Sequence, residues 1–122
     1  MNTKFYNARI LPLDNQTPLF TGELVVSDGR IAALGEHVSL DGKIDREIDC
    51  QGNLLMPGFK NAHTHSGMTF LRSLADDLPL QSWLNDQVFP KEAQLTPEDV
   101  YVLTKLAILE YLTSGITMMF DM

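Results

Sequence analysis

The chain has 122 residues, 44% hydrophobic and 20% charged, with a formal net charge of −7. That length can bury the core of one small domain, and the composition is ordinary for a protein folded in water. The acidic balance argues against a phosphate-rich partner, whether nucleic acid or anionic membrane, and no apolar run approaches the roughly 20 residues that span a bilayer.

Cys50 is the single cysteine, so no intrachain disulfide can form, and a reducing compartment is expected. The N-terminus "MNTKFYNARILPLD" carries no long apolar stretch after its lysine, unlike a secretion signal. The expected location is cytoplasmic.

Residues 1–56 read as β. "KFYNARIL" opens with aromatic and β-branched content, and "GELVVSDGRIAALGE" places two apolar runs around Asp28-Gly29, a pair suited to a type I′ hairpin turn. "REIDCQGNLLMPG" predicts a second such hairpin, turning at Gln51-Gly52-Asn53. Cys50 within it reads as a packing residue. Short strands at close spacing predict part of a sandwich, with His37 on its surface.

The pattern changes at Pro57-Gly58. "PLQSWLNDQVF" predicts a short helix ended by Pro90. A longer helix starts at Thr96, a good N-cap, with Pro97 in the first helical position and Glu98 and Asp99 at the positive end. Val100, Leu103, Ala107 and Tyr111 form an apolar stripe, widened by Leu106, Ile108 and Leu112. Gly115 stops the helix, and "ITMMFDM" reads as a buried strand. Residues 57–122 are therefore predicted to form one β-α-β unit with two parallel strands. Such a unit needs cover on both faces, so the chain reads as the front of something larger.

In "FKNAHTHSGM", His63 and His65 are two apart. On a strand they share a face, with Cα atoms about 6–7 Å apart. Imidazole nitrogens bind zinc at about 2.0–2.1 Å, so rings leaning together can meet at one ion. Small neighbours Gly58, Ala62 and Gly67 leave room. The tripeptide alone is equally compatible with two polar residues on an ordinary strand, and two ligands are fewer than the three of a usual catalytic zinc.

The stretch "MPGFKNAHTHSGMTFLRSLADDLPLQSWLNDQVFPKEAQLTPED" resembles the amidohydrolase superfamily, whose first metal-ligand motif is the P-G-F/L-x-N-x-H-T-H string. Its continuation resembles the 5-methylthioadenosine/S-adenosylhomocysteine deaminase group, as does the "SGIT" approach to the second strand. The resemblance implies an α/β fold. Residues 1–56 would be the β-sandwich portion, and 57–122 the first β-α-β unit of a metal-dependent (β/α)8 barrel, truncated here.

The resemblance also implies that His63 and His65 bind one divalent metal, usually zinc, with iron or another divalent ion as alternatives. It implies that Glu92 accepts bonds from the ribose hydroxyls of a nucleoside, as a carboxylate can. Trp83 matches a tryptophan that either lines the substrate pocket or anchors its helix. Asp76 and Asp77 read as loop and cap residues, and the role of Asp121, closing the second strand, stays open. Ser73 departs from the glycine of many members, which affects the course of its loop.

The implied activity is hydrolytic deamination of an adenosine-type nucleoside by metal-activated water. The catalytic acid/base and the remaining ligands have no counterpart among these residues, so this piece is expected to be inactive alone. The expected partner is a small-molecule purine nucleoside. Exposed edges and apolar faces predict a homo-oligomer. The alternatives are an aminohydrolase acting on guanine, cytosine or a triazine, and a non-catalytic oligomerising fragment.

Overall fold

The computed structural model describes residues 1–39 and 41–122. They divide into two compact units, Met1–Pro57 and Gly58–Met122.

The first unit is one mixed sheet. Strands β1 (Asn2–Ile10), β2 (Phe20–Ser27), β3 (Arg30–Gly35) and β4 (Arg46–Asp49) lie in the order β3-β2-β1-β4, and β5 (Leu54–Leu55) also pairs with β1. The β2-β3 hairpin turns at Asp28-Gly29, whose φ angles of 50° and 77° are those a type I′ turn requires. Val25 and Ala8 are fully buried and Ile10 nearly so. Lys4 bonds Glu23 at 2.8 Å, and Glu23 also accepts the Val38 N–H at 2.9 Å.

The second predicted hairpin is not formed. Gln51 and Gly52 do make a left-handed turn, with φ of 53° and 73°, but β4 and β5 do not pair with each other. Both run parallel to β1, with Tyr6 opposite Asp49 and Arg9 opposite Leu54. The turn is instead a bulge set against β1. Its Gly52 N–H donates to the Asn7 carbonyl at 2.7 Å, and the Arg9 N–H to the Asn53 carbonyl at 3.0 Å. Asn7 itself is left-handed, φ 54°, so both strands step aside together. Phe5, Leu24, Val26, Ile31 and Leu34 line an apolar groove on this sheet.

In the second unit β6 (Phe59–Thr64) and β7 (Ile116–Asp121) pair in parallel, Phe59 opposite Ile116 and Thr64 opposite Asp121. Between them run a 3-10 helix (Ser66–Leu71), a three-part helix and the long α3 (Pro97–Thr113). Thr96 and Asp99 form a reciprocal capping box at the start of α3, which satisfies two N–H groups that the helix leaves open. Past its end Gly115 takes φ 74°.

Pro90 does not end the earlier helix. α1 (Leu80–Ser82) passes through a π-helical stretch, Trp83–Val88, into α2 (Phe89–Glu92). The Phe89 N–H reaches back five residues to the Leu84 carbonyl. That wide turn comes just before the proline, where the missing donor and the ring would otherwise break an α-helical ladder. Val88, in the same stretch, is fully buried.

Two burial expectations also change. β7 is exposed along most of its length: among the described residues it pairs with β6 and meets α3 and the Ser66 turn. On α3 only Ala107 is buried, while Val100, Leu106, Ile108 and Leu112 are exposed. This helix is apolar around most of its circumference, while its neighbours among the described residues, the 3-10 helix and β7, cover only one side of it.

Candidate metal centre

His63 sits one residue before the end of β6, and His65 just beyond it with φ −132° and ψ 77°. The near-extended backbone keeps the two side chains on the same side. Their rings meet edge to face, centroids 5.0 Å apart and planes at 79°, with the two Nε2 atoms at 3.2 Å. Imidazole nitrogens bond zinc at about 2.0–2.1 Å, so two of them at this spacing could both reach one ion. The donor pair therefore fits one divalent ion.

The second ring nitrogen of His65 strengthens that fit. His65 Nδ1 lies 3.1 Å from the main-chain oxygen of Met122. An oxygen of that kind only accepts, so Nδ1 carries the hydrogen, the tautomer that leaves Nε2 free to present a lone pair. A metal-bound imidazole is commonly oriented by such a bond. Among the described residues no group of three or more His, Cys, Asp or Glu side chains converges, so the pair offers two donors.

The turn after His65 is tied down from three sides. The Ser66 N–H donates to Asp121 Oδ1 at 3.0 Å, and the Met122 N–H to the Thr64 carbonyl at 3.0 Å. The Tyr111 hydroxyl bonds Ser66 Oγ at 2.9 Å and also bonds Thr64 Oγ1. Burial pushes the Asp121 carboxyl up, but the Ser66 bonds, the Met122 N–H and the nearby His65 together outweigh it and hold it below the usual aspartate range. Asp121, whose role the sequence left open, thus closes β7 as the acceptor for this turn. Tyr111, read from sequence as part of an apolar stripe, turns its hydroxyl to the residues on either side of His65. Only the Thr and Ser flanking the histidines could have hinted at it.

Glu92 and His65 line the same cleft of about 280 Å³, together with Asp121, Met68, Val100 and Thr104. Glu92 is exposed there, at the end of α2. Trp83 is half-buried at the start of the π-helical stretch and is not among the residues lining this cleft. His37 is exposed in the other unit.

Residues 54–122 match the profile of the Amidohydrolase family. The chain is 45% identical over 117 residues to a 5-methylthioadenosine/S-adenosylhomocysteine deaminase of Syntrophomonas wolfei, an alignment covering 95% of this chain and 27% of the relative. It is 45% identical over 101 residues to a 5′-deoxyadenosine deaminase of Methanobrevibacter smithii, covering 83% and 23%. Among solved structures, an adenosine deaminase from Xanthomonas campestris with bound zinc superposes with a TM-score of 0.85 at 33% identity, covering 98% of this chain and 28% of that one. The chain thus spans about a quarter of the length of the relatives it matches.

Proposed function

Because this chain belongs to the Amidohydrolase family, we propose that it supplies the first two metal ligands of a hydrolase that deaminates an adenosine-type nucleoside. The observation that carries this reading is the convergence of His63 and His65 Nε2 to 3.2 Å. The names of relatives at 45% identity support the nucleoside class, and the zinc-bound structural neighbour supports zinc as the ion.

A bound divalent ion supplies an activated water at neutral pH. The residues of this chain do the rest of what can be assigned to it. His63 and His65 present two nitrogens at a fixed spacing, and the Met122 main-chain oxygen sets the tautomer of His65. Glu92, across the same cleft, accepts bonds from two vicinal sugar hydroxyls and orients the nucleoside. Trp83, away from that cleft, anchors its helix. The third ligand and the acid/base belong elsewhere in a longer protein, whose barrel would cover the exposed faces of β7 and α3. A second sheet would likewise cover the apolar groove of the first unit and make it a sandwich.

The test is ammonia release from adenosine, 5′-deoxyadenosine and 5′-methylthioadenosine by the zinc-loaded full-length protein. Turnover of at least one of them is expected, with Glu92→Ala raising KM more than it lowers kcat. No release from any adenosine-type nucleoside would overturn the reading.

A further inference from the structure

The geometry points to Tyr111 as a positioning residue for the histidine pair, and we propose that its hydroxyl holds His65 in the orientation that lets both Nε2 atoms reach one divalent ion. The inference rests on the metal reading of His63 and His65.

Three observations support it. First, the hydroxyl bonds the side chains of both residues that flank His65: Ser66 Oγ at 2.9 Å and Thr64 Oγ1. A phenolic hydroxyl has one hydrogen to give and can accept as well, so it serves both partners without leaving either unmatched. Second, Ser66 is 1% exposed. The other acceptor within reach of its hydroxyl is Met119 Sδ at 3.9 Å, a weak one. Removing the Tyr111 oxygen would strand a buried polar group, which costs more than the bond itself contributes. Third, Tyr111 lies on α3, 45 residues beyond Ser66. The bond therefore fixes the backbone around His65 against a separate element, where strand pairing alone ends at Thr64. His65 is exposed and outside the strand, so its ring direction depends on that backbone.

Loss of a group bonded directly to a metal ligand typically changes metal affinity 10- to 100-fold, and Tyr111, which acts through the residues on either side of His65, is expected at the lower end of that range. Tyr111→Phe keeps the ring and removes only the oxygen. The experiment is a Co²⁺ titration followed by visible absorption, with the His63 and His65 tautomers read in parallel by ¹⁵N NMR of the imidazoles. Tyr111→Phe should weaken Co²⁺ binding about tenfold or more and lose the single His65 tautomer. Thr64→Val should follow it, while Thr64→Ser, which keeps a hydroxyl, should restore wild-type binding. A purely structural role would lower the melting temperature of Tyr111→Phe and Thr64→Val and leave the affinity of the folded fraction unchanged. If Tyr111→Phe does not fold, the Thr64→Val and Thr64→Ser pair decides alone. Wild-type uptake of Co²⁺ with unchanged affinity in the variants would overturn this inference and leave the metal reading standing. A wild-type chain that takes up no Co²⁺ would overturn both.

Discussion

Arg72 and Glu110 face each other through two parallel charge-assisted bonds, Nη1 to Oε1 at 2.7 Å and Nη2 to Oε2 at 2.6 Å. The pair fastens the end of the 3-10 helix that follows the histidines to α3, which Thr69 also reaches through a bond to the Leu103 carbonyl at 3.3 Å. Both side chains are open to solvent, so the pair's strength is geometric and screenable. Arg72→Ala should lower the melting temperature in dilute buffer. The gap from wild type should narrow in about 0.5 M salt, where screening acts within a few ångströms. Thermal scans at the two salt concentrations check this, and a gap independent of salt would speak for lost packing instead.

Gly58 immediately precedes β6, the strand that carries His63, and a Cβ there would meet Thr117 Oγ1 at 2.2 Å, Cγ2 at 2.4 Å and Cβ at 2.8 Å. Turning the threonine cannot relieve the contact with its own Cβ, so the two strands must move apart. Gly58→Ala is expected to cost about 1–3 kcal/mol, read by denaturant unfolding. A double variant with Thr117→Gly should recover most of the loss. Recovery fails if the glycine is needed for its backbone conformation.

Glu23 predicts an acid-sensitive stability. The Lys4 ammonium, and then the Val38 N–H, hold its carboxyl below the ordinary glutamate value of 4.5. A carboxyl depressed on folding stabilises the fold fully above its unfolded value, and that contribution is lost as pH falls through the folded one. Glu23→Gln should therefore destabilise at pH 6, by about 1 kcal/mol for a partly buried, hydrogen-bonded pair. The difference from wild type should shrink as the pH is lowered from about 4.5. Unfolding curves at pH 6 and pH 3 check it, and an equal gap at both would contradict it.

The features legible in the sequence are those whose partners lie close along the chain. The Thr96–Asp99 box spans three residues, Asp28-Gly29 makes its own turn, and His63 and His65 meet across a single residue. The features that were not legible depend on distant partners. The "CQGN" turn looks like a hairpin until Asn7, far upstream, accepts its Gly52 N–H. Pro90 ends a helix by the ordinary rule, and continues one here because a π turn widens just before it. Tyr111 is apolar in a periodicity count, yet its hydroxyl serves residues 45 and 47 positions away. Burial of β7 and of α3 was overestimated because their apolar residues fit a larger layer than the described residues provide.

The exposed apolar surface of α3, with Val102, Leu109 and Leu112 each more than half exposed, predicts self-association of this chain in isolation. Light scattering across a concentration series should give a mass above that of one 13.7 kDa chain. A constant monomer mass would contradict it.

The two imidazole nitrogens 3.2 Å apart are proposed to share a single ion. This is tested most directly by the zinc bound per chain at saturation, measured by elemental analysis on the wild type and on His63→Ala/His65→Ala. One ion per wild-type chain and none on the double variant is the expected result. Equal zinc on both would take the two histidines out of the site.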